Sequence, residues 1–245
     1  MTAATRHRRT DESVPRDRGV SLAELIVTVG IMTLIGTLVM GVAVTVLKTY
    51  AGIDARLDNT TQSELGVAAS GKVLRTAILP AQLEDTVCAG CSDTAILSAT
   101  KTAITFYANV GNTTVGPSLV TLKVVADPAH PRTGKLVQDT QPPISSGNGQ
   151  YRFCDRALPT CVVRSRAIAR GLTWPSPGVF TYYDYEGAAI TQATLSTATL
   201  PRVSSVDVVV TVQTKPGDAD FPPRTAVSRI RLPNVEINVL TETGT

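Results

Sequence analysis

From Leu25 to Leu47 the chain carries no charged side chain, a run of 23 residues in a protein of 245. No other feature limits the fold as strongly. A helix of about 20 apolar residues crosses a bilayer, while the apolar core of a cleaved secretory signal spans only about 7–15. The charges lie on either side of the run. Residues 1–19 hold Arg6, Arg8, Arg9, Arg16 and Arg18 against Asp11, Glu12 and Asp17, so +2 of the formal net charge of +3 sits in the leader. Arginines ahead of a span stay cytoplasmic, which places the following chain outside. That following chain is nearly neutral and offers no broad basic footprint, so no nucleic-acid partner is expected.

Glu24 stands at the edge of this run, in Gly19-Val20-Ser21-Leu22-Ala23-Glu24-Leu25-Ile26-Val27. A carboxylate at bilayer depth costs roughly 2.5–3.5 kcal/mol or more. A cleaved secretory signal is excluded by the length of the run and by the lack of a nearby Ala-x-Ala site. An uncleaved signal anchor accounts for the length and the arginines, but gives Glu24 and Gly19 no use.

The same residues, in the same order, resemble the prepilin-type segment of type IV pilins and type II secretion pseudopilins. Those proteins have a basic leader ending in Gly, then an apolar residue, then a hydrophobic helix with Glu five residues after that Gly. The resemblance implies cleavage between Gly19 and Val20 by prepilin peptidase, and methylation of the new N-terminus at Val20. It also implies an assembly role for Glu24, paired with the Val20 ammonium of its own or a neighbouring subunit. Pairing removes the cost of a lone carboxylate in an apolar medium, and a Gly without Cβ suits a tight protease site. The family more often has Phe or Met at the position of Val20, and many of its leaders are shorter than this one.

Lys48-Thr49-Tyr50 marks a membrane edge, with a cation and an amphipathic aromatic. Ile53, Leu57, Thr61, Leu65, Ala68 and Val73 then recur at mostly helical spacing, opposite Asp54, Arg56, Asp58, Asn59, Gln62 and Glu64. Pro80 supplies a stop. One helix over Val20–Leu79 is expected, of roughly 90 Å at 1.5 Å per residue. Gly30, Gly36, Gly41 and Gly52 are read either as points of bending or close contact or as ordinary membrane-helix glycines.

After Pro80 the pattern turns to β. Expected strands are Ala103–Asn109, Leu119–Ala126, Lys135–Asp139, Cys161–Ala169, Gly178–Tyr185, Val203–Thr214 and Thr225–Val239, with Gly, Pro, Asn and Ser clusters between them. Gln141–Gln150 reads as a mobile loop and Lys215–Pro223 as a hairpin connection. Phe180/Tyr182 and Tyr183/Tyr185 fall on opposite faces, one pair in the core, and Asp184 and Gly187 read as turn residues. The architecture expected is α+β, a long N-terminal helix packed on an antiparallel sheet domain. Its parts are a leader (1–19), a membrane or filament-core helix (20–47), an amphipathic continuation (48–79) and a β-rich extracytoplasmic domain (80–245).

Four cysteines form two close pairs, Cys88/Cys91 and Cys154/Cys161, and allow three connectivities. Proximity favours a bridge within each pair, and an extracytoplasmic location favours disulfides. Free thiols, or half a zinc site at Cys88 and Cys91, are the alternatives.

The aromatic strand Val179–Tyr185 ending at Asp184 and Gly187, the Val-rich strand through Val212 and the closing Arg229-Ile230-Arg231-Leu232-Pro233-Asn234 are similar to the C-terminal half of J-type minor pseudopilins and related minor pilins. This resemblance implies a minor subunit at the filament tip. Some pseudopilins bind calcium, but Asp184, Glu186, Asp218 and Asp220 lack a calcium-loop spacing, so no metal and no cofactor are expected. His130 is the one histidine after the leader. It lies between Pro128-Ala129 and Pro131, with no nucleophile elbow, no paired zinc histidines and no phosphate-binding glycine loop. No catalytic residue and no enzyme are expected. Arg152, Arg156, Arg164, Arg166 and Arg170 read as a solvated sheet face.

The function expected is a filament subunit in the bacterial cytoplasmic membrane, a single-pass protein with its C-terminal domain outside and at the cell surface after assembly. Its partners would be prepilin peptidase, other subunits through the N-terminal helix, and membrane lipid. The other reading is a signal-anchored surface binding protein or adhesin with no filament role.

Overall fold

The computed structural model describes residues 19–82, 87–88, 90–111, 115–218 and 221–235. The leader up to residue 18, Asp220 and the expected strand positions 236–239 lie outside them. The chain divides into two compact units, at Tyr50 and Ala51. One helix, α1 (Leu22–Leu74), contributes to both.

In the first unit the helix starts where Ser21 caps it. Ser21 Oγ accepts the Glu24 N–H at 3.2 Å, and Ser21 O accepts that of Leu25 at 3.1 Å, which satisfies donors that a helix start leaves open. Thr28, Thr33, Thr37, Thr45 and Thr49 each turn the hydroxyl back onto a carbonyl three or four residues earlier. That is how hydroxyls are satisfied where water is absent. Every residue from Gly19 to Tyr50 is exposed. Helix α1 is long and apolar enough to cross a membrane, with a mean hydropathy of 2.3 over an 18-residue stretch.

In the second unit the helix packs on a sheet. The strands, in chain order, are β1 (Val87–Cys88), β2 (Ile96–Ala99), β3 (Ala103–Ala108), β4 (Ser118–Ala126), β5 (Thr133–Gln141), β6 (Ile144–Gly147), β7 (Gln150–Arg152), β8 (Arg164–Thr173), β9 (Phe180–Tyr183), β10 (Ala189–Ile190), β11 (Ser205–Val212) and β12 (Arg224–Arg231). Nine of them form one antiparallel sheet in the order β10-β9-β11-β8-β5-β4-β3-β2, with β12 beside β11. Its two ends are tied to each other. Leu195 N–H donates to Ala99 O at 2.9 Å, and Val179 and Phe180 N–H to Lys101 O at 2.7 and 3.0 Å. A small second sheet holds β6 antiparallel to β7 and β1 parallel to it.

The core follows the period of two. Along β11, Val206, Val208, Val210 and Val212 are fully buried while the residues between them are half-buried, each valine contributing roughly 1.5–3 kcal/mol by burial. Ile104, Phe106, Leu122, Leu136, Ile230 and Leu232 complete that face. Phe180 and Tyr182 are the core pair of β9, and the Tyr182 hydroxyl donates to Thr100 O at 2.7 Å.

The helix meets this face through residues other than the expected stripe. Ile53, Leu57 and Leu65 are 57%, 64% and 52% exposed. The buried positions are Asn59, Ser63, Gly66, Val67, Ser70, Gly71, Val73 and Leu74. Only Val73 belongs to both sets. Small side chains decide this: a Cβ on Gly66 would lie 2.9 Å from that of Ala169, so the helix sits too close to the sheet for leucines to intervene.

Three further expectations are corrected. The helix ends at Leu74, short of Leu79, because residues 76–78 extend along β3: Ala77 bridges to Ala108, and Ile78 N–H donates to Tyr107 O at 3.0 Å. Gln141–Gln150 is ordered, ending β5 and forming the β6–β7 hairpin over Gly147, Asn148 and Gly149, all at positive φ. The Asn-Gly pair there is a strong hairpin signal. The strand expected to start at Cys161 begins at Arg164 and runs on to Thr173, since Cys161 closes a disulfide loop.

Candidate functional site

Gly19 and Val20 lie just ahead of α1, both exposed, and a Cβ on Gly19 would meet nothing within 4 Å. Glu24 is in the first turn, where a negative charge complements the helix dipole. Its carboxylate makes no hydrogen bond or ion pair among the described residues. Ser21-Leu22-Ala23-Glu24 also fits the capping-box pattern, in which a Ser at the helix start and a Glu three residues later satisfy each other's backbone donors. The serine half is formed. The sequence reading passed over this local role, although four consecutive residues spell it out.

The cysteines pair within their close neighbours, Cys88 with Cys91 and Cys154 with Cys161. The second bridge closes a loop over the sheet face opposite the helix. Gln141 Nε2 donates to Cys154 O at 2.7 Å, Arg156 Nε to Gln141 Oε1 at 3.1 Å, and Arg156 Nη2 to Thr121 Oγ1 at 3.1 Å. Beneath the loop lies Asp139, held by Lys123 Nζ at 2.7 Å and by the Ser165 hydroxyl, with Arg156 Nη1 3.9 Å away. Burial alone pushes the Asp139 carboxyl up; the Lys123 and Ser165 bonds and the charges of Lys123 and Arg156 together outweigh it, and the net direction is down.

Two more carboxylates are lowered. Asp127 is lowered first by the Ala129 N–H and also by His130. Asp207 is lowered by a two-pronged bond from Arg229 at 2.7 and 3.0 Å. The Arg229 guanidinium also lies 3.8 Å from the centre of the Tyr183 ring. On the disulfide side, Tyr151 and Tyr107 pack around Phe153. Burial and the neighbouring Tyr107 push the Tyr151 hydroxyl up to about 12.

The five arginines do not form one surface. Arg156 reaches the Asp139 side of β5 and Arg166 bonds Gln138 at 2.9 Å on the other side; Arg152, Arg164 and Arg170 are exposed. Asp184 and Gly187 make the expected turn, with Asp184 Oδ1 accepting the Glu186 and Ala188 N–H groups at 3.1 and 2.8 Å. His130 sits 3.4 Å from Asp127 Oδ2, with an exposed ring. Among the described residues no three His, Cys, Asp or Glu side chains converge as metal ligands would.

Comparison of the chain with protein-family models, with curated proteins and with solved structures finds no match.

Proposed function

We propose that the chain is a minor pilin or pseudopilin, a structural subunit of a bacterial type IV pilus or type II secretion-like filament. Prepilin peptidase cuts after Gly19, leaving Val20 as the N-terminus and its methylation site. The protein crosses the cytoplasmic membrane once, with the sheet domain outside, and enters a filament through Val20–Leu47. It performs no catalysis. The observation that carries this reading is Glu24 at the head of an uninterrupted 53-residue helix whose apolar first half is wholly exposed. Exposed Ile53, Leu57 and Leu65 give the later part of the helix further apolar surface for neighbouring subunits. Two disulfides suit an extracytoplasmic domain.

Mass spectrometry of the mature N-terminus tests the reading directly. A new terminus at Val20 is expected, and an intact leader or a cut elsewhere overturns it. The Ser21 cap favours the second reading, a signal-anchored surface binding protein, because capping gives Glu24 a role without a filament. Glu24→Gln separates the two. A glutamine completes a capping box but offers no charge to an ammonium. Loss of filament incorporation with normal insertion and cleavage supports ion pairing; normal incorporation supports the cap.

A further inference from the structure

We propose that Cys88 and Cys91 form a thiol–disulfide exchange site: a dithiol opens this bridge while Cys154–Cys161 stays closed, and opening frees β1 from its place beside Tyr151. The sequence Cys88-Ala89-Gly90-Cys91 is a C-x-x-C pair. That motif is one of the settings that lower a cysteine's pKa, and a more acidic thiol leaves faster when a disulfide is attacked. The two cysteines, three residues apart, are bridged to each other. Both are half-buried, and Val87 and Gly90 beside them are exposed, so the sulfurs lie within reach of an attacking thiolate.

Exposure does not set the two bridges apart, since Cys154 and Cys161 are half-buried as well. Their surroundings do. Gln141 Nε2 lies 3.2 Å from Cys154 Sγ and 3.5 Å from Cys161 Sγ, and the same side chain holds Cys154 O and Arg156. That network fixes the loop and keeps its two sulfurs together even as thiols, which favours the closed bridge. Around Cys88 the support is thinner. β1 has two residues and lies at the edge of its sheet. Its pairing with β7 consists of Val87 opposite Gln150 and Cys88 opposite Tyr151, with Val87 N–H donating to Gly149 O at 2.9 Å.

Tyr151 supplies the reason for opening. It is fully buried, and its hydroxyl has no hydrogen-bond partner among the described residues. A buried polar group left unmet is costly, and access to water relieves the cost. The bridge helps to hold the closed arrangement against it. Cys88 stands opposite Tyr151, and just after Cys91 the Ser92 N–H donates to the Tyr107 hydroxyl at 3.3 Å. Tyr107 and Tyr151 both meet Phe153, at ring-centre distances of 5.7 and 6.0 Å. Cys88–Cys91 therefore staples β1 to a segment anchored on the same aromatic cluster. In the exchange, a thiolate of the dithiol attacks one sulfur of the pair, the S–S bond breaks and the other sulfur leaves as a thiolate. The second thiol of the reagent then breaks the mixed disulfide. The pair gains two electrons and two protons, and the dithiol becomes a disulfide.

The test uses the full chain in detergent micelles, equilibrated with mixtures of reduced and oxidised dithiothreitol, quenched by alkylation and read by peptide mass spectrometry. Cys88 and Cys91 are expected to be half reduced at a ratio of reduced to oxidised reagent at least about tenfold lower than Cys154 and Cys161. Equal midpoints, or the reverse order, overturn the proposal. With only the first bridge open, hydrogen exchange of the Val87 N–H should speed up at least about tenfold. Cys88→Ser with Cys91→Ser should show the same change without reductant and with Cys154–Cys161 intact. Unchanged exchange at Val87 in both samples overturns the release of β1. Tyr151→Phe removes the unmet hydroxyl and should make the first bridge at least about threefold harder to reduce; an unchanged midpoint overturns the part given to Tyr151. None of these outcomes depends on whether the chain enters a filament, which the mature N-terminus judges separately.

Discussion

The two stretches of α1 invert the ordinary relation between hydropathy and burial. From Leu25 to Leu47 the helix carries no charge, is predominantly apolar and is wholly exposed; from Ala51 to Leu74 the buried face includes Asn59, Ser63, Gly66, Ser70 and Gly71, while Ile53, Leu57 and Leu65 face outward. Hydropathy marks what a helix can be surrounded by. Side-chain size marks how near it can come to a sheet. In the second stretch size wins, because close approach lets the fully buried valines of β11 fill the space that leucines would have taken.

The sharpest way to break the contrast is to charge the first stretch. Leu34→Asp with Val39→Asp adds roughly 2.5–3.5 kcal/mol per charge at the centre of a span, so the variant should appear in the soluble rather than the membrane fraction. Membrane retention at the wild-type level would remove the span. Next in size is Gly66→Val, whose branches collide with Ala169 and Val210. Overpacking costs about 1–3 kcal/mol, to be read from urea denaturation, whereas Gly52→Val, which meets nothing, should cost less than half as much.

Asn59→Leu comes third. Asn59 Oδ1 accepts the Thr214 N–H at 3.0 Å, and its Nδ2 lies 3.4 Å from Pro222 O. Leaving a part-buried N–H unmet costs about 1–3 kcal/mol, with faster amide exchange at Thr214 as the readout. Acid sensitivity follows. Asp139 has its folded pKa lowered, so its stabilisation is present above the unfolded value near 4 and is lost as pH falls through the folded one. Asp139→Asn should therefore flatten the loss of stability below about pH 4. A residual slope is expected from Asp127 and Asp207, which are lowered too. Smallest is Leu57→Ser, expected to shift stability by under about 0.5 kcal/mol; a larger loss would mean that the exposed stripe is covered within the monomer.

Much of the sheet was legible before any coordinates. The alternation Val206-Asp207-Val208-Val209-Val210 and the breakers at Lys215–Pro223 place β11 and the start of β12 within two residues of where they lie; β12, expected to run on towards Val239, ends at Arg231, and Pro233–Val235 forms a 3-10 turn. The short strands β1, β2, β6, β7 and β10 were not expected, because two to four residues hold too little periodicity to stand out. Asp139 and Gln141 gave no signal either. Each is an ordinary polar residue in its strand, and becomes a clamp only when the loop from Cys154 to Cys161 brings Arg156 over it.

The sequence alone determined the long apolar helix with Glu24 at its start, the β-rich body and the proximity of each cysteine to its partner. These are set by local chemistry: hydropathy over one run, spacing along one strand, separation in one loop. Only the tertiary structure decided which face of α1 is buried and that the helix yields at Leu74 to pairing along β3. Those outcomes depend on how closely distant segments approach and which backbone groups they consume, and no single stretch of sequence carries that information.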